Sequence, residues 1–266
     1  MAKRVPGAVA VAVLVLPLMA VPARAAAVDF AGAVALSNCS GSVVRTSAAQ
    51  PSDPALVLTN GHCVRMLDVD EVVVDEPSSR TVTLINRDGT GSLRSVRADR
   101  LLYATMTDTD AAVYRLGVTY AEVEAAGSRA LELSPTGPAS GADIRVVSGY
   151  WKTIYSCALD GIVHRLREDQ WSWPDAIRYA PACRTKGGTS GSPVVDAGTG
   201  LVVGVNNTAN ENGERCTLNN PCEEDETGAV TVRRGIGYGQ QTHQIVPCVR
   251  PGAIDLTAPG CTLPRP

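Results

Sequence analysis

The chain has 266 residues, with 27 acidic side chains against 24 basic ones, three histidines and a formal net charge of −3. A mildly acidic balance argues against nucleic acid or an anionic membrane surface as the main partner. Eight cysteines with no Cys-x-x-Cys pair, beside three histidines, argue against a zinc site.

Residues 1–27 read as a secretory signal rather than as part of the fold. Lys3 and Arg4 give a positive start, Ala8 to Ala20 is apolar but short for a bilayer span, and Ala23-Arg24-Ala25 supplies small residues for cleavage between Ala25 and Ala27. Cleavage would remove three basic side chains and no acid, moving the net charge from −3 to −6. No later stretch is long and apolar enough to span a membrane, so the expectation is a secreted protein without membrane attachment once the signal is cut. About 240 residues remain, enough for one large domain or two small ones with real cores. All eight cysteines lie in this exported part, and in an oxidising compartment an even number favours four disulfides.

The secondary-structure signal is a series of short β-rich runs: Val43-Val44, Ala55–Leu58, Val72–Val74, Thr81–Leu84, Ala112–Leu116, Ile144–Val147, Val194-Val195 and Leu201–Val205. Turn compositions separate them at Pro51–Pro54, Asp88–Gly91 and Ala197–Gly200. One helix is expected, Tyr120–Ala126, rich in Ala and Glu and stopped by Gly127. Many short strands with regular turns indicate an all-β barrel or sandwich, and this length suits two barrels better than one. The stretch Val118–Gly141, with Pro135, Gly137 and Pro138, is the candidate linker. The expected organisation is a first barrel over 28–120, a linker over 121–141, a second barrel over 142–250 and a Pro-rich tail over 251–266. The acidic run Glu223–Glu226 reads as a solvated loop, because it lacks the spacing of a calcium loop.

The chemistry centres on Gly187-Gly188-Thr189-Ser190-Gly191-Ser192-Pro193. A serine between glycines suits a tight turn that projects one hydroxyl and leaves backbone N–H groups unpaired, the pairing of nucleophile and oxyanion hole used in acyl transfer. Such a serine needs a base. His164 lies in a stretch with strand alternation and His243 in a polar stretch near the end. His62 stands in Leu58-Thr59-Asn60-Gly61-His62-Cys63, where an apolar strand meets a Gly turn and a cysteine able to anchor the backbone beside the imidazole. An orienting carboxylate comes from Asp108-Thr109-Asp110-Ala111-Ala112. Asp110 is preferred to Asp108 because small residues that permit burial follow it directly.

Together, Thr59–Cys63, Asp110–Leu116 and Gly188–Pro193 resemble the chymotrypsin-like (trypsin-type) serine proteases, in the order His, Asp, Ser with steps of 48 and 80 residues. The resemblance covers about Val34 to Val246. It implies two six-stranded antiparallel β-barrels with the active site in the cleft between them, His62 and Asp110 from the first and Ser190 from the second. Ser190 would be the nucleophile, His62 the general base and Asp110 its orienter, with the N–H groups of Gly188 and Ser190 as oxyanion hole. No metal or organic cofactor is implied, and a monomer acting on protein or peptide substrates is expected. The resemblance also pairs Cys39 with Cys63; the other expected bridges are Cys157–Cys183, Cys216–Cys222 and Cys248–Cys261, with Cys183–Cys216 as competitor.

Two departures from the family pattern bear on activation and specificity. Trypsin itself has an aspartate before the nucleophile, which pairs with a newly cut N-terminus; here the residue is Thr189 and no Ile-Val-Gly-Gly-like start exists, so activation of that kind is not expected. The Gly-Gly-x-Ser-Gly-Ser-Pro form looks more like the bacterial glutamyl endopeptidases. Arg184 stands where trypsin-like enzymes carry the acid that selects basic side chains, and Thr185 matches a substrate-binding threonine of the glutamyl branch, whereas that branch's pocket histidine is replaced by Asn206. Arg184 either lines a pocket for acidic side chains or points to solvent. The alternative functions are a catalytically silent binding module on the same fold, or esterase chemistry at the same site.

Overall fold

The computed structural model describes residues 1–3 and 27–266, so nearly all of the expected signal segment lies outside the described residues. The first ring of strands comprises β1 (Ala33–Ala35), β2 (Ser40–Arg45), β3 (Pro54–Thr59), β5 (Thr81–Ile85), β6 (Ser92–Thr105) and β7 (Ala111–Thr119), with β4 (Val72–Pro77) laid on β6. Its neighbours run β1-β5-β6-β7-β3-β2, and pairing of β1 with β2 closes an antiparallel barrel. Helix α1 (Tyr120–Ala125) follows, started by a reciprocal capping box between Thr119 and Glu122. Strand β8 (Leu131–Glu132) then runs parallel to β2, and Leu133 bridges to Val202 of the second half.

The second ring comprises β9 (Asp143–Ser148), β10 (Thr153–Glu168), β11 (Trp171–Tyr179), β12 (Pro193–Asp196), β13 (Val202–Ala209) and β16 (Gly237–Gln241). Pairing of β10 with β11 closes the order β11-β16-β13-β12-β9-β10, again antiparallel. A hairpin of β14 (Cys222–Glu224) and β15 (Val230–Val232) extends β10 outward.

Two strands are much longer than any run marked in the sequence: β6 with 14 residues and β10 with 16. The outer half of β6, Ser92-Leu93-Arg94-Ser95-Val96-Arg97, is mostly exposed, so its apolar count is low although it pairs with β5. Register shifts between Ala98 and Arg100 and between Leu101 and Tyr103 bend β6 from one neighbour to the next, as a closed barrel requires. The long β10–β11 hairpin reaches across to the first barrel. There the indole N–H groups of Trp171 and Trp173 donate to the carbonyls of Leu67 (3.0 Å) and Met106 (2.8 Å).

Four disulfides brace these elements: Cys39–Cys63, Cys157–Cys183, Cys216–Cys222 and Cys248–Cys261, so Cys183 and Cys216 each have other partners. Among the described residues no helix is long and apolar enough to cross a membrane. The Cys39–Cys63 bridge closes a loop of 24 residues at the base of the cleft. The double variant Cys39→Ala/Cys63→Ala should lose about 3–4 kcal/mol of stability by the loop-entropy relation, read as a lowered denaturation midpoint in urea.

Candidate active site

Strand β3 delivers His62 to the cleft. Past Thr59 the chain turns through Asn60 and Gly61, and a Cβ on Gly61 would lie 2.1 Å from the carbonyl oxygen of Thr105, so only glycine fits. Asp110 arrives on the short link from β6 to β7. Asp108 takes a positive φ of 54° in that link and stays exposed, while Asp110 is fully buried. The Asp110 carboxylate engages His62 twice. Its Oδ2 lies 2.6 Å from Nδ1 of the ring, and its Oδ1 accepts the backbone N–H of His62 at 3.1 Å. Asn60 secures the same link by donating its side-chain amide to the Asp110 carbonyl at 2.8 Å. With Nδ1 committed to the carboxylate, Nε2 is the nitrogen left to act on another group.

Ser190 lies in the turn between β11 and β12. Its neighbour Gly191 has φ +80° and packs so tightly on the first barrel that a Cβ would fall 2.1 Å from Thr59 Oγ1 and 2.2 Å from the Ser40 carbonyl oxygen. Ser40 reinforces the junction: its N–H donates to the Ser190 carbonyl (2.8 Å) and its hydroxyl to the Gly188 carbonyl (3.2 Å). The Ser190 hydroxyl donates to the Asn207 carbonyl at 3.1 Å rather than to His62. Catalytic hydrogen bonds in ligand-free enzymes are often unformed until substrate binds. Ser190, His62 and Asp110 all line one cavity of about 380 Å³.

The N–H groups of Gly188 and Ser190 donate to no group among the described residues. The direction of the Gly188 N–H is set by a residue that the sequence did not single out. Trp151, in the turn between β9 and β10, donates its indole N–H to the Gly187 carbonyl at 2.7 Å, and Lys186 Nζ sits 3.7 Å from the centre of the same indole. In a trans peptide the C=O and N–H point in opposite directions, so fixing the Gly187 carbonyl fixes the Gly188 N–H on the other side. Thr189 is buried and bonded locally, its N–H to the Lys186 carbonyl at 3.0 Å.

Of the expected specificity residues, Thr185, Asn206 and Arg184 all line the cavity. Arg184 is exposed at its rim and donates to the Gly235 carbonyl at 3.2 Å. Asn206 is buried with its Oδ1 unpartnered. His164 is exposed on β10 and His243 begins a 3₁₀ turn, both outside the cavity lining. The donor atoms of Cys39, Cys63 and His62 lie within 4.8 Å of one another, but the two sulfurs are bonded together, so they offer no thiolate to a metal.

Glu168, at the end of β10, is a second buried carboxylate in the same cavity. Burial raises its pKa above the ordinary carboxylate range and the negative charge of Asp110 adds to the rise, against opposing contributions from Thr208, the Asn219 N–H and His62. At His62, burial disfavours the charged ring, but the charge and hydrogen bond of Asp110, with a further contribution from Glu168, outweigh it and raise the pKa above 6.5.

The family model of the trypsin-like peptidase domain matches residues 39–205, more than half of the chain. No curated protein sequence matches. Among solved structures, the chain is similar to the MamO protease domain from Magnetospirillum magneticum, at 15% identity and a TM-score of 0.51, over 83% of this chain and 97% of that one. It also matches Nocardiopsis protease (NAPase), at 18% identity and a TM-score of 0.45, over 81% and 93% of the two chains. At such identities the likeness to these structures is one of fold.

The His62–Asp110 pair carries a sign that can be checked. A histidine whose pKa is raised on folding contributes stability that is complete below its unfolded pKa and is lost as pH rises through the folded one. NMR titration of the His62 ring should give a midpoint above 6.5, and Asp110→Asn should bring it below 6.5, because burial then acts largely unopposed.

Proposed function

Because the chain belongs to the trypsin-like peptidase family, we propose that it is a secreted serine endopeptidase using His62, Asp110 and Ser190. The observation that carries this reading is the buried Asp110 carboxylate 2.6 Å from His62 Nδ1, in the same cavity as Ser190. Four disulfides and the signal-like composition of residues 1–27 support an extracellular setting.

In this mechanism His62 Nε2 takes the Ser190 proton as Oγ attacks the peptide carbonyl, and Asp110 stabilises the resulting imidazolium. The carbonyl oxygen becomes an oxyanion held by the N–H groups of Gly188 and Ser190. His62 then gives its proton to the leaving amine, and the acyl group stays on Ser190. A water, deprotonated by His62, attacks the acyl carbon, releasing the carboxylic acid and restoring Ser190. An ester substrate would follow the same path with an alcohol as leaving group. The rival reading, a silent binding module, is favoured by one observation, the Ser190 hydroxyl turned to Asn207.

A fluorophosphonate probe decides between them. Labelling should be confined to Ser190 by peptide mass spectrometry and be lost in Ser190→Ala and His62→Ala; well-folded protein that stays unlabelled would sink the enzyme reading. Trp151 is a positioning residue in this scheme. Trp151→Phe removes its N–H and frees the Gly187–Gly188 peptide, so kcat should fall about tenfold or more, less than the loss of a whole oxyanion donor. KM and the pH dependence of kcat should move little, which a merely destabilised fold would not produce.

A further inference from the structure

We propose that Glu168 is the anionic floor of a second substrate subsite, which takes the side chain of a lysine or arginine at one position of the bound peptide. This rests on the peptidase reading above and adds a substrate class to it. Glu168 is only 4% exposed, yet it lines the same cavity as His62 and Ser190. Its Oε1 accepts the backbone N–H of Asn219 at 2.7 Å, while its buried Oε2 has no hydrogen-bond partner. A buried carboxylate oxygen in that state is costly, and native proteins seldom leave one so without a purpose.

The surroundings define what would complete it. Trp171, Trp173, Met106 and Leu218 make the neighbouring cavity wall apolar. Both indole N–H groups are already committed, to the Leu67 and Met106 carbonyls, so neither is free to serve Oε2. Among the described residues no lysine or arginine forms an ion pair with Glu168. The two cations on the cavity lining are engaged elsewhere, Arg184 with the Gly235 carbonyl and Lys186 with the Trp151 ring. A carboxylate oxygen lacking a donor, between aromatic and thioether walls, matches an ammonium or guanidinium carried on an aliphatic stem. A cation docked there would also favour the ionised carboxylate that burial disfavours.

The test uses the mature protein and a well-cleaved neutral peptide. Lys, Arg, norleucine or Glu is placed in turn at each of the positions flanking the cut, and kcat/KM is measured with wild type and Glu168→Gln. At one position Lys or Arg should exceed norleucine by about tenfold or more, the discrimination expected of one charge-assisted contact. In Glu168→Gln that ratio should fall to within about twofold of one. A flat ratio in the wild type, a ratio that survives in Glu168→Gln, or cleavage of none of the panel would overturn the proposal. If Glu168→Gln does not fold, Leu218→Lys serves instead: Leu218 is exposed, and a resident ammonium there should occupy Oε2 and abolish the ratio. Fluorophosphonate labelling of Ser190 in parallel separates the two readings. Lost labelling defeats the peptidase, whereas intact labelling with a flat ratio defeats only the subsite.

Discussion

The site depends on a contact between two backbones. The Ser190 turn of the second barrel touches the first barrel at Ser40 and Thr59 so closely that residue 191 has no room for a side chain. At this junction the Ser40 N–H binds the Ser190 carbonyl, the Thr59 hydroxyl binds the Ser40 carbonyl at 2.8 Å, and the next residues along the first-barrel chains are Cys39 and the His62 turn. The Cys39–Cys63 bridge ties those two chains together. Ser190 and His62 therefore come from separate closed sheets, but a few short polar contacts and one covalent link set their separation. Both sheets are closed rings that resist deformation, so such a junction can hold groups within the fractions of an ångström that proton transfer demands.

The cleft treats its two buried carboxylates differently. Asp110 is met by a ring nitrogen and a backbone N–H, so its charge has partners on both oxygens. Glu168 has a backbone donor on one oxygen and no well-formed hydrogen bond on the other, with the neutral Thr208 hydroxyl easing its charge. Charges paired in place contribute to the resting structure, whereas a half-satisfied one leaves free energy to be recovered when a donor arrives. In the proposed mechanism this contrast gives Asp110 a standing partner in His62 and leaves Glu168 to meet the substrate.

Much of this was legible in the sequence because it is local. The Gly61-His62-Cys63 turn, the Asp110-Ala111-Ala112 strand entry and the Gly-rich turn at Ser190 each carry their constraint within a few residues, and α1 shows in its Ala- and Glu-rich run before Gly127. The long strands β6 and β10 were not legible at full length: much of each faces solvent and carries charged residues with few apolar ones, so the ladders with β5 and β11 define them rather than an apolar pattern. Glu168 was hidden for the same reason. It closes the run Arg165-Leu166-Arg167-Glu168-Asp169, which has the composition of a solvated edge, and its burial follows from the hairpin folding back on Leu67 and Met106. Trp151 gave no sign either, since nothing in a turn aromatic says which carbonyl its N–H will reach.

Trp151 bears on how the oxyanion site comes to be formed. In trypsin-like enzymes with an aspartate before the nucleophile, a new chain terminus supplies the charge that orders the neighbouring peptides; Thr189 cannot take part in such a pair. Here the order comes from neutral bonds that are present once the two barrels have closed: Trp151 to the Gly187 carbonyl, Ser40 to the Gly188 carbonyl and Lys186 to the Thr189 N–H. The indole bond is exposed to solvent and single, so its own free energy is modest. It acts on one peptide plane, and a rotation of that plane would turn the Gly188 N–H to the opposite side. Lys186 over the indole face steadies the donor without competing for the carbonyl. In the proposed mechanism the oxyanion geometry would thus be a property of the folded chain itself, held by side chains on two neighbouring turns of one barrel and a serine of the other.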